Sequence, residues 1–307
     1  MSNKILFLYF NKKHKDELLK CENILKALFR KFRKSVVFSY IGIDTSLSCR
    51  EAFKSLLYKE LEMNHAVMIK GDYESFPEED IFFRDILPYC VGEYHSSGKI
   101  LCFPASEKVT EITDEYASET HKTTFANMEK AADSSIKLAQ SRKKTLLVCT
   151  QQECLTNNEL FRSLQDQKGK SVHIKIEHIS LEKMISLCLK TIPEFDMVLS
   201  TEEIAKLIGM HLDSGSRICS GFSVFHTDKG CVHICKTNPY EEMDNSHYAS
   251  ILLTFAHMIE SMNEMKGASD WLRKAVATVF ETHAVSSFEE FSEKVISEIE
   301  KPMRIRK

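Results

Sequence analysis

Cysteine and histidine side chains crowd into one short stretch of the chain. Five of them fall within seventeen residues, at Cys219, His226, Cys231, His233 and Cys235. Because side chains alternate along a strand, the last three would share one face. Thiolates and imidazoles are the ligands that zinc and copper prefer, so the stretch could form a Cys/His metal site. The alternative is a set of ordinary side chains on one face of a hairpin, since no zinc-knuckle spacing arranges them around an ion.

Two further cysteines, Cys149 and Cys154, flank the end of a predicted strand. A nucleophilic thiol needs a lowered pKa, which a helix N-terminus or a nearby cation would supply. A buried strand cysteine and a loop cysteine form the alternative, because free cysteine is among the most buried residue types. The sequence alone leaves a catalytic thiol here as a hypothesis.

Basic residues cluster at the end of the first predicted helix, and they are interleaved with two aromatic residues. The cluster consists of Lys26, Phe29, Arg30, Lys31, Phe32, Arg33 and Lys34. Such a cluster could contact nucleic acid, but cations are also favoured at a helix C-terminus by the helix dipole. The formal net charge of the whole chain is −3, so we expect no nucleic-acid partner.

The composition is that of an ordinary globular protein, with 43% hydrophobic and 28% charged residues in 307. No apolar run reaches the ~18 residues that a membrane helix needs, and the apolar start Ile5–Phe10 is predicted to be a strand rather than a signal peptide. Ten cysteines are present without any C-x-x-C spacing. Free thiols of this kind are typical of a reducing cytosol, so we expect a cytoplasmic protein without membrane contact.

Strands and helices are predicted to alternate, a pattern typical of parallel βαβ units in an α/β fold. The predicted strands are Lys4–Phe10, Val36–Ile43, His65–Ile69, Lys99–Phe103, Thr145–Cys149, Val172–His178, Met197–Leu199, and a hairpin of Ser223–Phe225 and Cys231–Cys235. The predicted helices are Asp16–Lys34, Cys49–Glu62, 119–142, Asn157–Gln165, Leu181–Leu189, one that begins at Thr201, Tyr248–Glu264, Trp271–Phe280 and Phe288–Glu300.

The segment FDMVLSTEEIAKLIGMHLDSGS, residues 195–216, reads as a buried strand, a tight turn and a helix. It resembles the strand–turn–helix that carries the metal-binding aspartates of the isocitrate/isopropylmalate dehydrogenase family. The order of elements fits this family over nearly the whole chain, for example in CREAFKSLLYKELEMNHAVMIKGDYES and SHYASILLTFAHMIESM. The resemblance implies a three-layer α/β fold with two domains around a central cleft. One domain would join residues 1–96 and 217–307, and the smaller one would span residues 97–216.

The positions that carry the family's catalysis hold other residues here. Where the family's helix offers two aspartates one turn apart, this chain has Lys206 and Met210. The catalytic lysine of the family falls at Gln151, which has no ionisable proton, and the aspartate that the family receives from its partner subunit falls near Ser180. The resemblance therefore implies that catalytic and metal-binding groups are degenerate.

The substrate-binding positions are kept in part. The first of the family's paired arginines matches Arg84, while the second falls near Tyr94, which cannot fork two donors onto a carboxylate. A tyrosine, Tyr116, remains in the region of the family's dimer-clasping arm, although the residues between Glu107 and Thr120 are too few for such an arm. We retain Arg84, Tyr94 and Tyr116 as the predicted substrate-binding residues.

The cofactor loops of the family also have no glycine-rich match. Asn11-Lys12-Lys13-His14 stands where a Gly/Pro-rich loop faces the cofactor, and the NAD loop maps onto CKTNPYEEMDNSHY. Nucleotide-binding loops need glycine where the backbone approaches phosphate. We therefore expect no cofactor; an active relative would use NAD or NADP with Mg²⁺ or Mn²⁺.

These observations favour a pseudoenzyme that binds an unidentified protein or small molecule. Two alternatives stay open: an active NAD(P)-dependent dehydrogenase whose metal is held by Glu202, Glu203 and Asp213, and the Cys/His metal-binding protein. The family pairs through two helices whose equivalents are residues 181–189 and 202–212. A homodimer is therefore expected through these segments, with Ile185, Leu189, Ile204 and Ile208 as apolar contacts.

Overall fold

A computed structural model describes most of the chain in separate ranges. They are residues 3–43, 50–63, 66–72, 89–96, 99–112, 117–123, 125–141, 145–150, 174–189, 195–214, 222–237, 246–260, 265, 267–282, 285 and 287–302. By internal contacts the chain divides into two compact units. The first unit contains Met1–Leu87, Arg217–Phe222 and Lys229–Lys307, and the second contains Pro88–Ser216 and Ser223–Asp228.

Strands and helices alternate along much of the described chain. The strands are β1 (Asn3–Tyr9), β2 (Val36–Gly42), β3 (Ala66–Asp72), β4 (Val91–Ser96), β5 (Lys99–Pro104), β6 (Ser106–Ile112), β7 (Ala117–Thr123), β8 (Thr145–Thr150), β9 (Lys175–Ser180), β10 (Met197–Leu199), β11 (Phe222–His226) and β12 (Cys231–Thr237). The helices are α1 (Lys12–Lys31), α2 (Arg50–Met63), α3 (Phe125–Ser141), α4 (Leu181–Cys188), α5 (Glu202–Ser214), α6 (Ser246–Glu260), α7 (Ala268–Thr282) and α8 (Phe288–Glu300).

The first unit is built on parallel strands in the order β2-β1-β3-β12. Ile5 pairs with Phe38 on one side and with Ala66 on the other, which fixes the register of the first three strands. Helices α1, α6, α7 and α8 cover an apolar core that includes Phe7, Phe255 and Phe291. This arrangement is the βαβ pattern that the alternation of elements predicts.

Helix α1 begins four residues earlier than the sequence predicts, and it ends three residues earlier. The Asn11 side chain accepts a hydrogen bond from the His14 backbone N–H at 2.9 Å, which caps the helix directly after β1. At the other end Arg33 adopts a positive φ of 55°, and the Lys34 N–H donates to the Phe29 carbonyl. This left-handed turn ends the helix before the last of the basic residues.

The second unit orders its strands β11-β4-β5-β10-β8-β9. Strand β5 is antiparallel to β4 but parallel to β10, and β8 is parallel to both β10 and β9. Helix α3 packs on an apolar cluster that includes Met128, Ile136 and Val148. Strands β6 and β7 form a separate antiparallel pair, with Ser106 opposite Thr123 and Ile112 opposite Ala117.

Several predicted elements differ from the structure. The helix predicted over 119–142 is wrong in its first part, because Ala117–Thr123 forms strand β7 and α3 begins at Phe125. Strands β4 and β6 lie where the sequence predicts no strand. Both strands of the predicted hairpin form, although β11 extends to His226. The helix predicted at Asn157–Gln165 lies outside the described residues.

Candidate functional site

Lys206 and Glu202 form an ion pair on one face of α5. The Lys206 Nζ lies 3.2 Å from Glu202 Oε1, one helical turn away. The Glu202 side chain is buried, and its second oxygen accepts a hydrogen bond from the Tyr89 hydroxyl at 3.1 Å. The acid at the start of this helix is therefore held by a lysine and a tyrosine of the same unit. Met210 belongs to α5, and its side chain lies outside the described residues.

Tyr94, a predicted substrate-binding residue, is buried on the side of β4 that faces α5. A Cβ built on Gly209 of this helix would lie 2.4 Å from the Tyr94 ring, so the ring rests against the bare helix backbone. The structure gives Tyr94 a packing role, and its substrate contact stays a prediction. Arg84 and Tyr116, the other two predicted substrate-binding residues, lie outside the described residues.

Ser180 is the N-cap of α4. Its side chain accepts a hydrogen bond from the Lys183 backbone N–H at 3.4 Å, which satisfies a helix donor that would otherwise have no partner in the helix. Gln151, at the position of the family's lysine, lies outside the described residues. The structure therefore shows a structural task for Ser180 and leaves Gln151 as a prediction.

A buried carboxylate stands between two imidazoles in the second unit. Glu93 Oε2 lies 2.8 Å from His95 Nε2, and Glu93 Oε1 lies 2.8 Å from His226 Nε2. Glu93 and His95 share one face of β4 because side chains alternate, and β11 contributes His226. The sequence contains the signal as Glu-x-His in VGEYHS, but the second histidine is 133 residues away, so our sequence reasoning missed this site.

The electrostatics of Glu93 follow from its burial and from these two partners. Burial alone would raise the pKa of the Glu93 carboxyl, but the hydrogen bonds with His226 and His95 outweigh it and hold the pKa well below its usual range. Glu93 is therefore an ionised carboxylate at neutral pH. Since a carboxylate only accepts hydrogen bonds, each Nε2 carries a proton and donates it.

The Cys/His stretch of the sequence is divided among different surroundings. His226 bonds to Glu93, Cys235 lies in the apolar core of the first unit, and His233 Nε2 lies 3.2 Å from His257 Nδ1. Cys219 lies outside the described residues. Within the described ranges, no group of three potential ligand atoms at metal-binding separation includes Cys231, His233 or Cys235.

The thiols of the second unit lack the activation that a nucleophile needs. Burial raises the pKa of the Cys149 thiol to about 12 and that of Cys188 to about 11. Both are therefore protonated at neutral pH. Cys154 lies outside the described residues.

The strand–helix junction of the first unit takes the place of the family's first cofactor-facing loop. Only two residues separate the end of β1 from the start of α1. Beside this junction the ammonium group of Lys70, at the end of β3, lies 3.3 Å from Glu17 Oε2, and both side chains are buried. Fixed side chains with opposite charges thus stand behind the junction.

The basic cluster at the end of α1 is used within the chain. Lys26 forms an ion pair with Glu22, and Lys31 lies 4.3 Å from the centre of the Trp271 ring while donating to the Lys301 carbonyl. A cation over an aromatic face is a stabilising contact. These contacts give two of the lysines structural partners.

The helices of the predicted dimer contact differ in what they expose. Ile204 and Ile208 are buried within their own unit, so the prediction that they are available for a partner is wrong. Leu189 is 72% exposed and Leu207 is 37% exposed. Ile185 is half-buried.

A cavity of about 290 Å³ opens on the second unit. Leu147, Leu187 and Phe195 give it apolar walls. Asp196, Glu177 and Lys183 contribute charges of both signs. Ligand pockets commonly combine apolar walls with a few polar groups in this way.

Comparison with known proteins supports the resemblance. No protein-family model matches the chain. A 3-isopropylmalate dehydrogenase from Buchnera aphidicola subsp. Thelaxes suberi is 27% identical over 139 residues, which are 42% of this chain. The match spans 38% of that protein's length.

Solved structures extend the likeness to nearly the whole chain. The apo form of a β-decarboxylating dehydrogenase from Thermococcus kodakarensis superposes with a TM-score of 0.74 at 13% identity, over 97% of this chain and 96% of that one. The TT0538 protein from Thermus thermophilus gives 0.75 at 12% identity, over 98% and 69%.

The fold is thus the α/β fold of the β-decarboxylating dehydrogenases. The resemblance to the isocitrate/isopropylmalate dehydrogenase family is confirmed, in fold over most of the chain and in sequence over the 139 matched residues. Among the described helices, none is long and apolar enough to span a bilayer.

Proposed function

We propose that this protein is a diverged isopropylmalate/isocitrate dehydrogenase-like pseudoenzyme that binds a small molecule or a protein. It no longer performs metal- and NAD-dependent oxidative decarboxylation. The observation that carries the proposal is the ion pair of Lys206 with Glu202 on α5. Lys206 stands at a position where the family has a metal-binding aspartate, and it binds the buried acid of the same helix.

The chemistry of β-decarboxylation explains why this pair matters. The reaction needs a divalent cation that holds the 2-hydroxy acid and stabilises the enolate, and Mg²⁺ or Mn²⁺ needs carboxylate oxygens. Glu202 already has Lys206 and Tyr89 as partners. A fixed ammonium beside it repels a second cation, and this repulsion is strong where solvent is excluded. Glu203 is exposed, and the Asp213 side chain lies outside the described residues.

The first unit supports the proposed loss of the cofactor. A dinucleotide site needs a glycine-rich turn that lets the backbone approach phosphate. Here Asn11 caps α1 immediately, so its side chain and not a phosphate accepts the His14 N–H. Hydride transfer requires a positioned nicotinamide, and the described junction offers it no loop.

Two surfaces support a binding role. The cavity beside Asp196 has a volume of about 290 Å³, close to the lower limit of small-molecule sites. On α4, the half-buried Ile185 and the exposed Leu189 give an apolar strip. We propose that this strip contributes to a homodimer, the arrangement that the family resemblance implies.

Calorimetric titration with Mn²⁺ tests the loss of the family's metal site. The wild-type chain should show no binding at α5, while Lys206→Asp combined with Met210→Asp should gain a site because it restores the two acids. Glu203→Gln, which changes an exposed acid of the same helix, is the matched control. Mn²⁺ binding by the wild type that disappears in Glu202→Gln would contradict the proposal and favour a relocated active site.

A further inference from the structure

The Glu93 carboxylate has an imidazole on each of its two oxygens, and the three groups belong to the second unit. We propose that Glu93, His95 and His226 form a binding site for a divalent transition-metal ion of the zinc type. Two histidines and one acid are a ligand set that zinc uses in proteins. The site is separate from α5, where the family resemblance places metal-binding aspartates.

The donor chemistry selects the ion. Imidazole nitrogen suits zinc and copper, whereas magnesium and calcium prefer sites built from oxygens alone. Glu93 is already ionised, so its carboxylate can bind a cation without first losing a proton. Each neutral imidazole would move its proton from Nε2 to Nδ1, and the metal would take the place of the two N–H hydrogens. No net charge is then added to the protein beyond that of the ion.

Backbone contacts hold two of the strands that carry these ligands. The Cys90 backbone N–H donates to the His226 carbonyl at 2.9 Å, and the Cys90 thiol lies 3.4 Å from the same oxygen. Strand β4 is also paired with β5 along its whole length. Glu93 and His95 therefore have fixed Cα positions, and the carbonyl of His226 is tied to the residue that precedes β4.

The ligand set is open in this structure. No three potential ligand atoms within the described part of the second unit lie within 4.8 Å of one another, because the imidazoles approach opposite oxygens of the carboxylate. Closing the set requires rotation of the His226 side chain, which is 32% exposed, whereas those of His95 and Glu93 are buried. The exposure of His226 also leaves a path by which the ion and a water ligand can enter.

The full-length chain can be tested after treatment with a chelator and dialysis. We would titrate it with Co²⁺, monitor the visible absorption that tetrahedral cobalt develops, and displace the cobalt with Zn²⁺. The wild type should bind one equivalent at this site. His226→Gln should weaken binding at least about tenfold, since such losses follow even from changes around a metal site. The control is His178→Gln, an exposed histidine on β9 of the same unit.

Each outcome decides the proposal. Loss of binding in His226→Gln but not in His178→Gln, with thermal unfolding of both variants still cooperative, supports the site. Equal binding by both variants, or no Zn²⁺ binding by the wild type at micromolar concentration, overturns it. The result is independent of the proposed function, because the Lys206→Asp and Met210→Asp gain of Mn²⁺ binding can succeed or fail without affecting His226.

Discussion

Lys206 and Glu202 lie one turn apart on α5, with their charged atoms 3.2 Å from each other. In this chain a lysine supplies the positive charge beside the acid, at a helix position where the family resemblance implies a metal-binding aspartate. The pair therefore links the degenerate sequence to a specific structural arrangement. It also predicts how the helix responds to substitution.

Lys206→Met should lower the free energy of unfolding by about 1–2 kcal/mol, since the buried Glu202 carboxylate then keeps only the Tyr89 hydroxyl of the two partners described above. Urea denaturation at neutral pH measures the change. Glu203→Gln on the exposed side of the helix should alter stability by less than about 0.5 kcal/mol. An unchanged stability in Lys206→Met would show that the pair is not holding Glu202.

The buried pair of Lys70 and Glu17 predicts a non-additive response. Glu17→Gln should cost about 3–5 kcal/mol because it leaves the Lys70 ammonium buried beside an uncharged amide. The double variant Glu17→Leu with Lys70→Met should recover most of that loss, since both charges are removed together. A double variant that is as unstable as the sum of the single changes would contradict this explanation.

Glu93 predicts a dependence of stability on acid pH. Its folded pKa is depressed below the value of about 4.3 expected in the unfolded chain. Its contribution to stability is therefore fully present above the unfolded pKa, and it is lost as pH falls toward the folded pKa. Urea midpoints at pH 7 and pH 3.5 should differ more in the wild type than in Glu93→Gln. Equal differences would argue against an ionised carboxylate between the two histidines.

Thiol labelling should distinguish the cysteines by their surroundings. Cys149 and Cys188 should resist iodoacetamide in the folded protein at pH 8, because burial raises their thiol pKa to about 12 and about 11. Among the described cysteines, the half-buried Cys231 should react faster. Mass spectrometry of labelled peptides measures the order, and early labelling of Cys149 would revive a catalytic thiol.

Gly209→Ala should destabilise the protein by about 1–3 kcal/mol, since the added methyl would overlap the buried Tyr94 ring. Alanine favours a helix over glycine by about 1 kcal/mol, so a stabilising result would mean that the ring moves away easily. The same change in a Tyr94→Ala background should be nearly neutral or stabilising. Thermal unfolding of the four proteins compares these cases.

Much of the fold could be predicted from the sequence because apolar spacing records which face of each element is buried. The last helix, Phe288–Glu300, is predicted with its observed bounds. The start of α1 could not be placed in the same way, because it depends on the Asn11 cap rather than on apolar spacing. For α5, the spacing gives an apolar face but does not say which partner covers it, and Ile204 and Ile208 face their own unit.

The buried polar site lay beyond sequence reasoning for a different reason. Strand β4 carries Glu93 and His95, residue types that usually indicate an exposed segment. They are buried because each has a partner, and His226 comes from a strand far along the chain. A pattern of apolar residues contains no record of such pairing, so strand and site were missed together.

The most direct measurement is turnover by the purified full-length chain. NAD⁺ or NADP⁺ would be supplied with isocitrate, 3-isopropylmalate or tartrate in the presence of Mn²⁺, and reduced cofactor would be followed by its absorbance. The pseudoenzyme predicts no reduction above a protein-free control with any of the substrates. Mn²⁺-dependent formation of NADH or NADPH that disappears in Glu202→Gln would contradict it.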